Sequence, residues 1–240
     1  MNKEEIESFL LGYSGYCGGD IGSPERPSIW CCGIEWGGDG INEKAVLDYF
    51  ESRDWEQIGG FEPDDGYIKA RYNISLCKLL CAIQGGQVED YEQFAEQHQV
   101  LHKGAKTGYL KLNLYPLWFK DTDENRWTKE LSDLLSFRDK NEYLNWCQRH
   151  RFPVINELAQ KHQPRLVICF GLSYENEFHQ AFSDDDDVGF DTELIDGLKV
   201  KWKRNKNGTI VAVLPFPNIP NGLLRNQSIQ LIGGFLASLL

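Results

Sequence analysis

The chain has 240 residues, of which 41% are hydrophobic and 25% are charged, and its formal net charge is −11. This length and composition suit one globular domain with a substantial core and exclude a disordered chain. The acidic balance argues against strong, non-specific binding of nucleic acid, which requires a basic surface. The first segment, 1–11, is acidic and amphipathic rather than a signal peptide. Since no apolar run is long enough to cross a bilayer, we expect a cytoplasmic protein without membrane contact.

Four short apolar runs predict buried strands, and helical periodicity fills most of the intervals. The predicted strands are 28–32, 110–114, 165–170 and 209–214. The predicted helices are 43–52, 66–84, 88–98, 141–162, 173–182 and 223–240. Pro153 is expected to kink or divide the fourth of these helices.

The alternation of strands and helices predicts an α/β fold, a three-layer α/β/α sandwich with a short, mainly parallel four-stranded sheet. We expect a single domain over 1–240, with 1–27 as an N-terminal extension. The segment 192–208 alternates in polarity and ends at Asn207-Gly208, which predicts a β-hairpin insertion before the last strand.

The seven cysteines are odd in number and lie largely in apolar surroundings, which indicates reduced, buried thiols. Cys77 and Cys81 share a helix face, but no second pair at ligand spacing accompanies them, so we predict neither a metal site nor a cofactor. The acidic run 184–187 and the basic stretches 149–151 and 199–206 are interpreted as solvated faces.

Ligands of open α/β sheets bind beyond the carboxyl ends of the strands, so the residues after each strand are the candidates for a site. The first strand runs into the glycine-rich turn 33–40. Gly33 and Gly37 would let a ligand approach the backbone, and Glu35 would position or activate water. Trp36 would stack on a ring. The alternative is a tight turn with solvated acids.

The second strand ends at Asn113, a polar residue in an apolar run. Its amide both donates and accepts hydrogen bonds, which suits the reading of a base edge. Alternatively, Asn113 satisfies the backbone of a loop. Tyr115 and Trp118 would either stack on a ligand ring or pack in the core.

The loop after the last strand, 214–226, contains three prolines and is therefore stiff. A stiff loop loses little entropy when it grips a ligand. Pro215, Phe216, Asn218 and Arg225 are the candidates to contact that ligand. The alternative is a rigid connection to the last helix.

Taken in order, these segments resemble the uracil-DNA glycosylase superfamily. The turn 33–37 is similar to the family's turn that carries the water-activating acid, with Glu35 in the acid's place. The strand 108–113 is similar to the strand whose Asn reads uracil, with Asn113 at that position. The strand 166–171 likewise ends in Gly before a helix.

The loop 214–217 keeps the prolines of that family but has Leu214 where the family usually has a His. That His stabilises the negative charge on the leaving base, which a leucine cannot do. The resemblance implies a glycosylase-like fold, recognition of a nucleobase in DNA or a related compound, and hydrolysis of the N-glycosidic bond by water that Glu35 activates.

Two other functions are open. Leu214 and the acidic charge favour a catalytically inactive protein on the same fold, which binds nucleic acid or a nucleotide or acts as a regulator. A hydrolase that uses Cys or Ser with His is less favoured, because no His follows a predicted strand and no Gly-x-Ser-x-Gly turn occurs.

Overall fold

The computed structural model describes residues 1–35, 37, 40–62, 66–119, 123–184, 188–217 and 222–240. These described residues form eight α-helices and seven strands. The helices are α1 (Lys3–Leu11), α2 (Glu43–Ser52), α3 (Arg71–Ile83), α4 (Tyr91–Gln97), α5 (Lys129–Leu135), α6 (Lys140–His162), α7 (Glu175–Phe182) and α8 (Asn226–Ser238). The strands are β1 (Gly18–Gly19), β2 (Ile29–Gly33), β3 (Tyr109–Asn113), β4 (Leu166–Phe170), β5 (Asp191–Ile195), β6 (Leu198–Arg204) and β7 (Ile210–Leu214).

All seven strands belong to one mixed sheet in the order β1-β3-β2-β4-β7-β6-β5. Strands β3, β2, β4 and β7 pair in parallel, whereas β1, β6 and β5 join the sheet by antiparallel pairing. The α/β class is confirmed, but the prediction of a short, mainly parallel four-stranded sheet was wrong. The predicted strands are the four central ones. Of the added strands, β1 was not predicted because it is two glycines and forms no apolar run. Strands β5 and β6 lie in the segment for which a β-hairpin was predicted, but that hairpin was not counted as part of the sheet.

Most element bounds agree with the sequence pattern, and the main exceptions concern helices. The four central strands lie within one residue of their predicted bounds, and α2 matches its prediction. The helix predicted at 66–84 starts later, after a short 3₁₀ turn at Tyr67–Lys69. Pro153 lies inside α6 without dividing it, because the neighbouring Phe152 and Ile155 are anchored in the core.

Helices cover both faces of the sheet because successive side chains of each strand point to opposite faces. Trp30 and Cys32 of β2 belong to a core shared with α1, α6 and α7, which we call the first face. Ile29 and Cys31 belong to a second core shared with α3 and α8, which we call the second face. Within the described ranges, no helix combines the length and apolar character that spanning a bilayer requires.

One buried arginine fastens the N-terminal segment to the sheet. Arg151 of α6 is 1% exposed. Its guanidinium donates hydrogen bonds of 2.5–3.0 Å to the backbone oxygens of Leu10, Gly12, Ser14 and Leu114. The segment then continues into β1, where a Cβ on Gly19 would overlap the backbone of Tyr109. The N-terminal segment therefore forms one wall at the carboxyl end of β3.

Candidate ligand site at the carboxyl ends of the central strands

Glu35, two residues beyond β2, is engaged in a buried ion pair. Its Oε1 lies 3.0 Å from Nζ of Lys140, and the two side chains are only 7% and 1% exposed. Asp139 caps α6 by accepting a hydrogen bond from the backbone N–H of Glu142, so that Lys140 occupies the first turn of that helix. The ammonium also lies 4.0 Å from the ring centroid of Phe119. Carboxylate and ammonium therefore compensate each other away from water.

The surroundings of Glu35 belong to the first face. Burial raises the pKa of the Tyr143 hydroxyl, and the negative charge of Glu35 adds to that rise. Burial also raises the pKa of the Cys147 thiol to about 12, with a further contribution from Glu35. Tyr143 and Cys147 are both members of the first-face core, so the charge of Glu35 acts on that face.

Asn113, the last residue of β3, lies beside Gly33. The two residues are register partners, and Asn113 is 3% exposed. A Cβ on Gly33 would overlap Oδ1 of Asn113, so glycine is needed for the amide to lie across the end of β2. The Asn113 Nδ2 donates to the oxygen of Gly15 at 3.0 Å and lies 3.5 Å from Sγ of Cys17. The amide thus supports the N-terminal loop and directs its oxygen over Gly33.

Tyr72 of α3 carries a hydroxyl without a partner. Its oxygen is shielded from solvent and makes no hydrogen bond in the described part of the chain. That oxygen lies 3.8 Å from the position that a Cβ on Gly33 would take. Burial raises the pKa of the hydroxyl well above its usual range, with smaller contributions from the thiols of Cys31 and Cys32. The group is therefore a protonated donor that lacks an acceptor, which costs about 1–3 kcal/mol in a protein interior.

An exposed aromatic ring borders Tyr72. Strand β7 ends at Leu214, Pro215 is buried, and Phe216 is 41% exposed. The ring centroid of Phe216 lies 5.8 Å from that of Tyr72, at a tilt of 40°. On its other side Tyr72 meets the ring of Phe170 edge-on. Phe216 therefore offers a free aromatic surface next to the unpartnered hydroxyl.

Lys111 points to the same face of β3 as Asn113, because the two residues are two positions apart. Its Nζ donates to Oδ1 of Asn73 at 2.9 Å. The ammonium lies 4.9 Å from the ring centroid of Tyr72 and 5.8 Å from that of Phe61. Among the residues that the structure describes, no carboxylate pairs with it.

We call Gly33, Tyr72, Lys111, Asn113 and Phe216 the Tyr72 cluster. A cavity of about 310 Å³ is lined not by these residues but by neighbours of theirs, among them Gly15, Tyr16, Cys17, Tyr49, Asp54 and Phe61. Cys17 links the cavity to Asn113, and Phe61 links it to Lys111. Its volume is at the lower end of the range for small-molecule sites.

Several predicted site residues lie elsewhere. Tyr115 is 2% exposed and packs against Phe152 in the first-face core, so it is not free to stack on a ligand. Trp118 meets the ring of Tyr49 edge-on, with centroids 5.6 Å apart. Gly37 is exposed, and a Cβ there would meet open space. None of these three contributes to the Tyr72 cluster.

Arg225 binds the turn between β5 and β6. Its Nη2 lies 3.0 Å from Oδ2 of Asp196 and donates to the oxygen of the same residue. Leu214 is fully buried in the second-face core. The remaining predictions, Trp36 and Asn218, lie outside the described residues.

Sequence reasoning missed Tyr72 and Lys111. Lys111 is the one charge within the otherwise apolar run 109–114, and this signal could have identified it. Tyr72 has no such signal, because an aromatic residue in a helix is ordinarily part of the core.

The Tyr72 cluster offers hydrogen-bond donors from a hydroxyl and an ammonium, an amide oxygen that accepts, and an aromatic surface. Within the described ranges, no three His, Cys, Asp or Glu side chains are placed to hold a metal ion. No protein-family model matches the sequence, and no curated protein shows significant similarity to it. The resemblance to the uracil-DNA glycosylase superfamily therefore stays a prediction from short motifs.

Proposed function

We propose that the chain binds a ligand with a planar, nucleobase-like ring at the Tyr72 cluster and does not hydrolyse it. The unpartnered Tyr72 hydroxyl carries this proposal. Buried polar groups in folded proteins nearly always have partners. This hydroxyl lies beside Gly33 at the carboxyl end of β2, which is where ligands of open α/β sheets bind.

The cluster suits a ring with both acceptors and donors on its edge. Tyr72 would donate its O–H to a ring carbonyl, and Oδ1 of Asn113 would accept from a ring N–H. Phe216 would stack on the face of the ring, since base–aromatic stacking tolerates any base.

The position of Glu35 favours binding over cleavage. A general base must come within about 2.6–3.2 Å of the proton that it removes, directly or through one water. Glu35 pairs with Lys140 on the first face, whereas Asn113 lies with Gly33 and Tyr72 on the second. Leu214 is apolar and buried, so it cannot stabilise a leaving base. These placements support the inactive binding protein of the two glycosylase-fold hypotheses.

The basic stretch 199–206 favours a small ligand over DNA. Lys201 pairs with Glu175, and Lys203 is 3% exposed and donates to Ser183. Arg204 donates to the oxygen of Leu239. Side chains that are engaged within the protein are not available to neutralise phosphates. A free nucleobase compound therefore fits better than nucleic acid.

Calorimetry with the full chain tests the proposal. We expect uracil, thymine or their nucleosides to bind saturably, and we expect Tyr72→Phe to weaken that binding about tenfold through the loss of one hydrogen bond. Tyr91→Phe is the matched control, because the Tyr91 hydroxyl bonds to exposed Glu92. If no such compound binds, or if both variants bind as the wild type does, the proposal is wrong.

Hydrolysis is tested separately. Wild type and Glu35→Gln are incubated with single- and double-stranded oligonucleotides that contain uracil, and strand scission at abasic sites is measured. We expect no excision by either protein. Excision by the wild type that Glu35→Gln abolishes would instead establish the glycosylase, with the near-buried Glu35 as its activating acid.

A further inference from the structure

We infer that the ligand of the Tyr72 cluster is an anion, a nucleobase-like ring with a carboxylate attached directly to it, and that Lys111 binds this carboxylate. The inference rests on the proposed ring-binding function and names the class of ligand. It follows from the position of one half-buried cation.

Lys111 is half-buried and has no acidic partner among the described residues. It is the middle residue of β3, between the fully buried Leu110 and Leu112. Charges at such positions are normally paired, because removing a charge from water is costly. Lys140, at the same end of the sheet, has Glu35 as its partner. Lys111 has only the neutral amide of Asn73 and two aromatic rings in the described part of the chain, although the protein carries a net charge of −11.

The positive charge of Lys111 extends into the space that surrounds it. Burial raises the pKa of the Cys17, Cys31 and Cys77 thiols, and in each case Lys111 opposes that rise. Three groups on β2, α3 and the N-terminal loop thus lie within reach of the positive potential of Lys111. A negative group bound there would be stabilised by the same potential.

The neighbouring donors specify an oxygen anion close to the ring. The ammonium retains two N–H groups beyond its bond to Asn73, and the Tyr72 hydroxyl adds a third donor. Lys111 Nζ is only 4.9 Å from the Tyr72 ring centroid. A ligand edge that reaches the Tyr72 hydroxyl therefore brings a directly attached substituent near Lys111. A carboxylate on the ring meets this requirement better than a phosphate several bonds away.

Three ligands and three proteins test the inference by calorimetry. The ligands are uracil, uracil-6-carboxylate and uridine 5′-monophosphate. The proteins are wild type, Lys111→Met, and Lys199→Met as a control with the same change of net charge on an exposed side chain. We expect wild type to bind uracil-6-carboxylate about ten- to a hundredfold more tightly than uracil, as charged hydrogen bonds are stronger than neutral ones.

Lys111→Met should remove this preference, so that uracil and uracil-6-carboxylate bind with similar affinity, whereas Lys199→Met should keep the preference. Lys111→Gln serves as a second variant, and the thermal melt of each variant shows that it is folded. Equal affinity of wild type for uracil and its carboxylate overturns the anion inference and leaves the ring-binding function intact. Tighter binding of uridine 5′-monophosphate than of the carboxylate overturns the direct attachment. Absence of binding by all three ligands contradicts the proposed function itself.

Discussion

The two faces of the sheet differ in how their cations are partnered at the carboxyl ends of the strands. On the first face, Lys140 is paired with Glu35, and Arg151 is hydrogen-bonded to four backbone oxygens. On the second face, Lys111 has no acidic partner in the described residues, and the Tyr72 hydroxyl has no partner at all there. The first face is therefore complete without a ligand, whereas the second face is not.

This difference distinguishes buried polar groups that stabilise the fold from those that are available to bind a ligand, although the sequence does not tell the two apart. Removing one member of a satisfied network leaves its partners buried and unpaired, which destabilises the fold. Removing a group that already lacks a partner relieves a cost. The same type of substitution should thus have opposite effects on stability on the two faces.

The largest effect is expected at Arg151. Arg151→Met leaves four backbone oxygens, including those of Leu10 and Leu114, without their donor, and should lower the free energy of unfolding by about 4–5 kcal/mol. Urea unfolding followed by circular dichroism measures this loss. The control is Arg149→Met, since Arg149 is exposed on the same helix. A loss below about 1 kcal/mol at Arg151 would show that the N-terminal segment is held by other contacts.

The next largest loss of stability is expected when the Glu35–Lys140 ion pair is broken. Glu35→Gln leaves the Lys140 ammonium buried without compensation and should cost about 3 kcal/mol in urea unfolding. Replacing both residues, by Glu35→Gln with Lys140→Met, should restore much of that loss. The exposed pair Lys44–Asp48 provides the contrast, because Asp48→Asn should change stability by less than about 0.5 kcal/mol. Additive losses in the double variant would contradict a coupled pair.

At Tyr72, the change in the free energy of unfolding should have the opposite sign, a gain instead of a loss. Tyr72→Phe removes a shielded hydroxyl that has no acceptor and should raise the free energy of unfolding by about 1 kcal/mol without ligand. Thermal and urea unfolding of the ligand-free protein measure the gain. A loss of stability would indicate that the hydroxyl is already satisfied, by water for instance.

The smallest effect is expected on the reactivity of the Cys17 thiol. Burial raises the pKa of its thiol, and the charge of Lys111 opposes this rise. Removing that charge by Lys111→Met should therefore move the thiol pKa further up and slow alkylation by iodoacetamide at a given pH. Mass spectrometry can follow this site alone, since the other six cysteines are buried. An unchanged rate would place the charge of Lys111 out of reach of Cys17.

Sequence patterns identified what is apolar and local in this molecule. The four central strands and the placement of Asn113 at a strand end follow from apolar runs and from the rule that parallel strands end at one edge. The edge strand β1 was missed, since it consists of two glycines and forms no apolar run. The partner of Glu35 was also missed, because Lys140 lies 105 positions along the chain and only the fold brings the two together. Tyr72 was missed since the lack of a hydrogen bond is a property of packing alone.

The hydrogen bonds of Arg151 can form only late in the synthesis of the protein. Its acceptors at Leu10, Gly12 and Ser14 lie 137 to 141 residues upstream. A ribosome that adds about 5–20 residues per second needs on the order of ten seconds to supply the guanidinium after those carbonyls have formed. Throughout that interval α1, whose buried residues include Ile6 and Phe9, lacks the helix α6 that packs against it in the folded protein. Until α6 has been synthesised, the emerging polypeptide therefore exposes the side of α1 that packs on α6, and chaperones near the ribosome can bind it.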